Sequence, residues 1–202
     1  MPPNHSVDFF ERQFQRQVAA REFALNPFET AALPYRAGRV LDFGCGLGNL
    51  ALAAARRGCH VLALDASATA IAHLRAQARQ EGLALAAEQA DLRRHRLHES
   101  FDAVVCIGLL MFFDGATAAR QLAQLQHQVR PGGAAVVNLL VAGTTYREMF
   151  AAQEYCLWTA AELRQRFAGW DLLEFVEQEF QAPGGTVKRF ATAVARRAPQ
   201  AG

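Results

Sequence analysis

Short apolar segments alternate with amphipathic segments through the middle of this sequence. Several of the apolar segments lie next to a glycine or an aspartate, which is the pattern of buried strands that are joined by helices. We predict strands at residues 39–43, 60–64, 84–88, 102–107 and 134–141, and helices at residues 49–57, 67–80 and 115–128. Because strands that alternate with helices form sheets covered on both faces, the predicted fold class is α/β with a doubly wound, mostly parallel sheet.

The N-terminal part of the chain precedes this alternation and has a helical pattern. Phenylalanine and valine recur every fourth position within residues 7–22, which predicts an amphipathic helix. Asn26 and Pro27 fit the N-cap and the first turn of a second, short helix. We expect residues 1–36 to form a helical lid over a catalytic domain made of residues 37–202.

The C-terminal part of the chain predicts one helix and one hairpin. Thr159 and Glu162 have the spacing of a capping box, so a helix is expected to begin there and to run to Phe167. Residues 171–180 and 186–197 then predict two strands joined by a tight turn. This hairpin should add an antiparallel pair to one edge of the sheet.

Length and charge exclude several function classes. The chain has 202 residues, of which 51% are hydrophobic and 20% are charged, as expected for a single globular domain. A net charge of +2 predicts no binding to nucleic acid or to anionic membrane surfaces. No apolar run reaches the roughly 20 residues of a membrane span. Residues 1–6 lack the pattern of a signal peptide, so we expect a cytoplasmic protein, either monomer or homodimer.

The cysteines predict neither disulfides nor a metal centre. Cys45, Cys59, Cys106 and Cys156 are scattered along the chain and form no C-x-x-C pair. Scattered cysteines without such pairs are typical of reduced thiols in a reducing compartment. We therefore predict no metal site.

A glycine-rich segment, Asp-Phe-Gly-Cys-Gly-Leu-Gly-Asn at residues 42–49, follows the first predicted strand and opens a helix. Glycines in this position let the backbone approach a ligand closely, and both dinucleotides and S-adenosylmethionine (SAM) fit such a turn. The spacing is G-x-G-x-G rather than the dinucleotide pattern G-x-G-x-x-G. The leading aspartate suits the ammonium group of SAM and would repel a pyrophosphate. The predicted cofactor contacts in this turn are Asp42, Gly44, Cys45, Gly46 and Asn49.

Acidic residues after the next two strands extend the predicted site. Asp65 ends the second strand, where a carboxylate about twenty residues past the glycine turn can accept from both ribose hydroxyls. Asp91 follows the third strand and is predicted to accept from the adenine 6-amino group. Ligands of open α/β sheets bind outside the carboxyl ends of the strands. Neighbours at those ends complete the predicted cofactor site: Ala66, Leu92, Cys106 and Ile107.

Together these motifs resemble those of class I methyltransferases. Residues 40–49 resemble SAM motif I, 61–65 motif II, 90–92 motif III and 101–107 motif IV, and residues 130–133 resemble the turn before the fifth strand. The resemblance implies a Rossmann-like fold that ends in an antiparallel hairpin. It also implies SAM as the cofactor and a SAM-dependent methyltransferase activity.

A narrower resemblance is to the tellurite-resistance (TehB-like) methyltransferases. It rests on residues 110–113, 169–171 and 188–192. It implies that the acceptor is a small molecule such as a tellurite or selenite oxyanion. The chain departs from that group at Phe180 and Gln181, where the group tends to carry a His-Arg pair.

Aromatic residues of the N-terminal helices and of the segment after the fourth strand are predicted to form the acceptor site. Arginines and a tyrosine are expected to steer an anionic acceptor. A soft nucleophile such as a thiol, a selenol or a reduced chalcogen anion needs no strong base, whereas a hydroxyl would need one, and the sequence identifies no catalytic residue. The predicted acceptor-site residues are Phe14, Phe28, Met111, Tyr146, Arg147 and Arg189.

Two other function classes stay open at this point. A SAM-binding regulator would bind SAM tightly without transferring its methyl group to any acceptor. An NAD(P)-dependent oxidoreductase would bind the dinucleotide in preference to SAM.

Overall fold

A single seven-stranded sheet forms the centre of the protein. The computed structural model describes residues 5–150 and 154–199. Within them the strand order is β3-β2-β1-β4-β5-β7-β6. The strands are β1 Arg39–Phe43, β2 His60–Asp65, β3 Leu85–Gln89, β4 Phe101–Ile107, β5 Val129–Leu140, β6 Asp171–Ala182 and β7 Thr186–Arg196.

Strand direction divides the sheet into a parallel part and an antiparallel edge. Strands β1 to β5 are mutually parallel, whereas β7 pairs antiparallel with both β5 and β6. The predicted mostly parallel sheet with an added hairpin is therefore confirmed. The chain moves outward from β1 to β3 and then crosses to β4, so the strand order reverses between β1 and β4. Open α/β sheets bind their ligands at such a switch point.

Helices precede the sheet and cover both of its faces. They are α1 His5–Ala20, α2 Pro27–Ala32, α3 Asn49–Ala55, α4 Ala68–Glu81, α5 Gly115–Gln128 and α6 Ala160–Gln165. Local hydrogen bonds explain where several of them begin. Capping boxes start α2 at Asn26 and α6 at Thr159, and the Ser67 side chain accepts from the N–H of Ala70 at the start of α4. These caps act over three residues, which is why the sequence predicts these helix starts well.

Strand β5 differs from its prediction. It begins at Val129 instead of residue 134, because the Arg-Pro-Gly-Gly segment stays within the strand as an irregularity. Phe101 pairs with Val129, but Ala103 already pairs with Ala134. The segment predicted as a separate turn is therefore a bulge that holds additional residues against β4.

Alternation along the strands decides which residues reach which side of the sheet. Leu41 and Phe43 pack into the larger hydrophobic cluster together with Cys106, whereas Val40 packs with residues of α3 and α4 on the opposite face. Asp42 lies two residues beyond Val40 and thus on the same face, since successive side chains of a strand point to opposite sides. This places the Asp42 carboxyl beside the glycine turn.

The two N-terminal helices differ in how they attach to the sheet. Ala32 of α2 is fully buried and packs in a cluster with Leu50, Val105 and Val194, so α2 belongs to the body of the domain. In α1, by contrast, Ser6 is the one buried residue among those that the structure describes. Only α1 therefore lies outside the core, and its role as a lid stays a prediction.

The described residues hold no membrane-spanning helix and no metal-binding cluster, and their cysteines are unpaired. None of the helices there combines the length and the apolar character that crossing a membrane requires. No group of three histidine, cysteine, aspartate or glutamate side chains is arranged in those residues to hold a metal ion. The four cysteines are free thiols, three of them buried and Cys156 half-buried.

Candidate active site

A cavity of about 590 Å³ opens at the carboxyl ends of the parallel strands. The glycine turn, the ends of β2 and β4, and the segment after β3 form its base. Phe10 and Phe14 of α1, and Phe28 of α2, form part of the wall above. The cavity thus lies at the switch point of the sheet, and two of its walls come from elements far apart in sequence.

Most of the predicted site residues meet in this cavity. All of the predicted cofactor residues except Cys106 line it, and so do Phe14, Phe28, Met111 and Tyr146 of the predicted acceptor site. Cys106 is fully buried in the hydrophobic cluster on the other face, while its neighbour Ile107 lines the cavity. The structure therefore corrects the prediction for Cys106, and the cause is the alternation of side chains along β4.

The two predicted arginines also lie outside the cavity lining. Arg147 is exposed, and its guanidinium lies 5.2 Å from the ring centroid of Tyr155. Arg189 is exposed too, and its Nε donates to Glu179 Oε2 at 2.6 Å. The residue before it, Lys188, does line the cavity. Lys188, and not the predicted Arg189, thus contributes a cation to this part of the cavity wall.

The glycine turn is held against β2 by its backbone. The N–H groups of Gly44 and Cys45 both donate to the carbonyl oxygen of Leu64, at 2.8 and 3.0 Å. Gly44, Gly46 and Gly48 have φ values of 87°, 52° and 76°. A side chain would strain the backbone in this left-handed region, so the glycines let the chain fold back and leave its backbone open to the cavity.

Asp65 joins the glycine turn to the start of α4. Its Oδ2 accepts from the N–H of Gly46 at 2.8 Å, and its Oδ1 accepts from the N–H of Ser67, also at 2.8 Å. Burial raises the pKa of the Asp65 carboxyl despite these hydrogen bonds. A carboxylate has about four acceptor positions, so some remain for hydroxyl donors in the cavity.

Asp42 is the least satisfied acid of the site. Its side chain is 4% exposed, and within the described part of the chain its Oδ2 has no hydrogen-bond partner. Burial, followed by the nearby carboxyls of Glu29 and Asp65, raises the pKa of Asp42 to about 8. A buried carboxylate without a partner is costly, and a cation bound beside it removes that cost.

The Asp91 carboxylate is already paired inside the protein. The Arg93 guanidinium donates to both of its oxygens at 2.9 Å, and the N–H of Arg93 donates to Oδ1 at 3.1 Å. These hydrogen bonds lower the pKa of Asp91. Asp91 therefore enters the cavity as an oriented anion, and its contact with adenine stays a prediction.

Glu11 attaches α1 to the rim of the cavity. Its Oε2 accepts from Ser67 Oγ at 2.5 Å, and its Oε1 accepts from Thr69 Oγ1. Partial burial acts to raise the pKa of Glu11, but the hydrogen bonds from Ser67, Thr69 and Gln15 outweigh it and leave the pKa below its ordinary value. At the start of α1, Ser6 Oγ donates to the carbonyl of Met149 at 3.0 Å. The N-terminal half of the helix is thus held over the cavity at two points.

Several polar residues of the cavity wall were not predicted from the sequence, and Asn138 and Lys188 are two of them. Asn138 is 1% exposed and is the only polar side chain within the apolar run of residues 134–141, which is a signal that could have identified it. Lys188 is the only lysine of the chain, but nothing local shows which side of its strand it occupies.

The central part of the chain has a recognisable family signature. Residues 40–133 match the family model described as a methyltransferase domain. Residues 40–133 thus form a methyltransferase domain. This confirms the methyltransferase class that the motifs predict, and with it SAM as the cofactor of the class.

Two curated relatives are similar to part of this chain. Hemagglutinin 1 of Eikenella corrodens is 31% identical over 140 residues, which cover 69% of this chain and 46% of that protein. A ubiquinone biosynthesis O-methyltransferase of Aeromonas salmonicida is 32% identical over 123 residues, which cover 59% of this chain and 50% of that protein. The chain thus spans about half the length of the curated relatives it matches.

Solved structures superpose on most of this chain. TehB from Haemophilus influenzae has a TM-score of 0.76 at 20% identity, with 95% of this chain and 67% of that chain covered. A protein of echinomycin biosynthesis, where a disulfide bond is converted into a thioacetal group, has a TM-score of 0.65 at 28% identity, with 89% and 85% covered. These superpositions confirm the predicted Rossmann-like methyltransferase fold.

Proposed function

We propose that this chain is a SAM-dependent methyltransferase that acts on a small molecule with a soft nucleophile. A thiol, a selenol or a reduced chalcogen anion fits this description, and tellurite and selenite oxyanions are included among the acceptors to be tested. The observation that carries the proposal is the buried Asp42 carboxylate, whose Oδ2 has no partner among the described residues. A cationic ammonium beside a glycine turn is what satisfies such a group.

The residues of the cavity fit SAM along its length. Asp42 would pair with the methionine ammonium, and Asp65 has acceptor positions left for the ribose hydroxyls. Leu92 and the oriented carboxylate of Asp91 would lie beside the adenine. When bound, SAM supplies a methyl group that its sulfonium activates for displacement. The protein's part is to hold the acceptor in line with that methyl group, and such positioning is worth up to roughly 7–11 kcal/mol in model reactions.

The character of the acceptor wall supports a soft nucleophile. Aromatic and methionine side chains dominate it: Phe9, Phe10, Phe14, Met111, Phe112, Phe113, Met149 and Phe190. No histidine occurs among the described residues that line the cavity, and the carboxylates there belong to the cofactor end or to the α2 capping box. A thiol, with an ordinary pKa of about 8.5, needs less help from a base than a hydroxyl does. The sulfur chemistry of the echinomycin protein agrees with this choice.

A panel of acceptors with methyl-labelled SAM tests the proposal. The expected result is transfer of label to thiols, selenols or reduced chalcogen anions, and little transfer to phenols and carboxylic acids. Transfer to phenols alone would require a base that the soft-nucleophile proposal does not include. Tight SAM binding without transfer to any member of the panel would favour a regulator, and displacement of SAM by NAD(P) would favour an oxidoreductase.

Replacing Asp65 with alanine is expected to weaken SAM binding by more than about tenfold, because it removes a charged acceptor of two ribose hydroxyls. Isothermal titration calorimetry measures the change. Asp114→Ala is the matched control, since Asp114 likewise accepts from a backbone N–H, that of Thr117 at 2.9 Å, but does not line the cavity. The control should lose stability and keep its SAM affinity. Equal affinity in the Asp65 variant would refute the ribose assignment.

Removing residues 1–22 is expected to abolish methyl transfer and to leave measurable SAM binding. The deletion takes away Phe10 and Phe14 of the acceptor wall but leaves the glycine turn and α2 in place. A longer deletion would remove Ala32 from the core, so its effect could not be assigned to α1. Turnover and calorimetry measured on the same preparation separate the two effects. Full activity without residues 1–22 would rule out α1 as a lid.

A further inference from the structure

The face of β5 and β7 that borders the cavity carries two polar groups at separate points. Asn138 of β5 lies opposite Thr192 of β7, and Lys188 lies four residues earlier on β7. Both Asn138 and Lys188 line the cavity, and Phe190 lines it between them. Four residues of strand correspond to roughly 13 Å. A polar group therefore stands at each end of an apolar stretch of the acceptor wall.

Asn138 offers a hydrogen-bond acceptor close to the strand ends. Its Nδ2 donates to Thr192 Oγ1 at 2.8 Å, which orients the amide. Its Oδ1 is buried and has no partner among the described residues. Buried polar atoms are nearly always satisfied, so an unsatisfied one on a cavity wall indicates a ligand group that donates to it. A thiol S–H is such a donor, though a weak one.

Lys188 offers a cation at the other end of this stretch. Its Nζ lies 4.4 Å from the ring centroid of Tyr146, and it forms no ion pair with any carboxylate that the structure describes. The adjacent Arg189 is paired with Glu179, which lies directly opposite it on β6. Because neighbours in a strand face opposite sides, Glu179 neutralises Arg189 and leaves Lys188 to the cavity.

We propose that the acceptor is an apolar thiol that carries a carboxylate. In this arrangement the carboxylate binds the Lys188 ammonium, the apolar body packs on Phe190, and the thiol donates to Asn138 Oδ1. The inference rests on the proposed function. In the transfer, the acceptor sulfur bonds to the methyl carbon, and the bond from that carbon to the sulfonium breaks. Its electron pair stays on the cofactor sulfur, and the thiol proton leaves to solvent.

The test compares an acidic thiol with a neutral analogue of the same shape. The probes are 4-mercaptophenylacetate and its primary amide, assayed with wild-type protein, Lys188→Met and Lys188→Arg. The methionine variant should raise KM for the acid by about tenfold or more and leave KM for the amide unchanged, since it removes a charge-assisted contact. The Lys188→Arg variant keeps the positive charge, so its KM for the acid should lie close to that of the wild type. Arg189→Met is the matched control, because it removes the adjacent cation from the opposite face.

Binding of the methylated product separates this inference from the proposed function. Calorimetry with 4-(methylthio)phenylacetate and S-adenosylhomocysteine-loaded protein requires no turnover. A loss of about tenfold or more in the Lys188→Met variant, but not in Arg189→Met, supports the inference even if no thiol is methylated. Equal binding to wild type and to the Lys188→Met variant overturns it even if neutral thiols are good acceptors. Thermal unfolding of the variants confirms that each is folded.

Discussion

The Asp42→Asn variant is expected to bind SAM about 100-fold more weakly than the wild type, because a neutral amide cannot pair with an ammonium in a buried position. Asparagine has nearly the same shape as aspartate, so the glycine turn should keep its structure. The ligand-free variant should be at least as stable as the wild type, since it lacks a carboxylate that is 4% exposed and incompletely hydrogen-bonded. Loss of affinity together with retained stability would separate a binding role from a structural one.

We also expect the stability of the Asp42→Asn variant to depend on pH differently from that of the wild type. Burial and neighbouring acids raise the pKa of Asp42 from 3.8 to about 8 in the folded protein. Because the folded state holds this proton more tightly than the unfolded chain does, ionisation between about pH 4 and pH 8 lowers the free energy of unfolding. The ligand-free wild type should therefore lose stability relative to Asp42→Asn as the pH rises through this range. Thermal unfolding of both proteins from pH 5 to pH 8.5 measures the difference.

SAM binding should show the opposite pH trend. An ammonium pairs with the ionised carboxylate, so binding below about pH 8 should release a proton from Asp42. Affinity of the wild type, relative to Asp42→Asn, should rise towards pH 8 and fall at higher pH, where the ammonium loses its own proton. Asp102→Asn is a suitable control, because Asp102 is paired with Arg130 and does not line the cavity. Affinities that are equal in wild type and Asp42→Asn at pH 8 would exclude the ammonium contact.

The Gly48→Ala variant is expected to be destabilised by about 2–4 kcal/mol, since backbone strain and overpacking add at this position. Gly48 has a φ of 76°, and an added Cβ would lie 2.5 Å from a methyl carbon of Leu74. Leu74 is fully buried on α4, so it cannot move aside into solvent. The glycine therefore allows the turn to pack against α4, and a methyl group there should displace the turn that we propose to bind SAM.

Gly82→Ala is the matched control for this substitution. Gly82 has a φ of 64°, but an added Cβ there meets nothing within 4 Å. The Gly82→Ala variant should therefore lose only the stability that backbone strain costs, about 1–2 kcal/mol, and its SAM affinity should be unchanged. Denaturant unfolding and SAM titration of the two variants measure both effects. If the Gly48 and Gly82 variants lose equal stability, close packing against Leu74 has no energetic role.

Local signals explain why much of the fold could be predicted. The capping side chains of Asn26, Ser67 and Thr159 act within three residues, and the strand pattern depends on the apolar character of adjacent positions. The glycine turn and Asp65 also follow from their distance along the chain. The bulge in β5 could not be predicted in this way, because it depends on how Val129 and Ala134 both pair with β4.

The assignment of side chains to a face of the sheet needed the structure. Cys106 and Ile107 are neighbours, as are Lys188 and Arg189, yet only one of each pair lines the cavity. A shift of register by one residue would exchange them. Strand pairing sets that register, in particular the position of Arg189 opposite Glu179. The contacts of Glu11 with Ser67 and Thr69 could not be predicted either, because they join segments far apart in sequence.

By itself the sequence determined the α/β alternation, the helix caps and the row of acids Asp42, Asp65 and Asp91 that indicates a nucleoside-type cofactor with a cationic end. These features depend on periodicity and on short spacings, which a single chain displays directly. Only the tertiary structure decided that Asp42 Oδ2 lacks a partner among the described residues, that α1 lies over the cavity, and that Lys188 rather than Arg189 lines it. The physical reason is that burial, register and helix docking arise from contacts between distant segments.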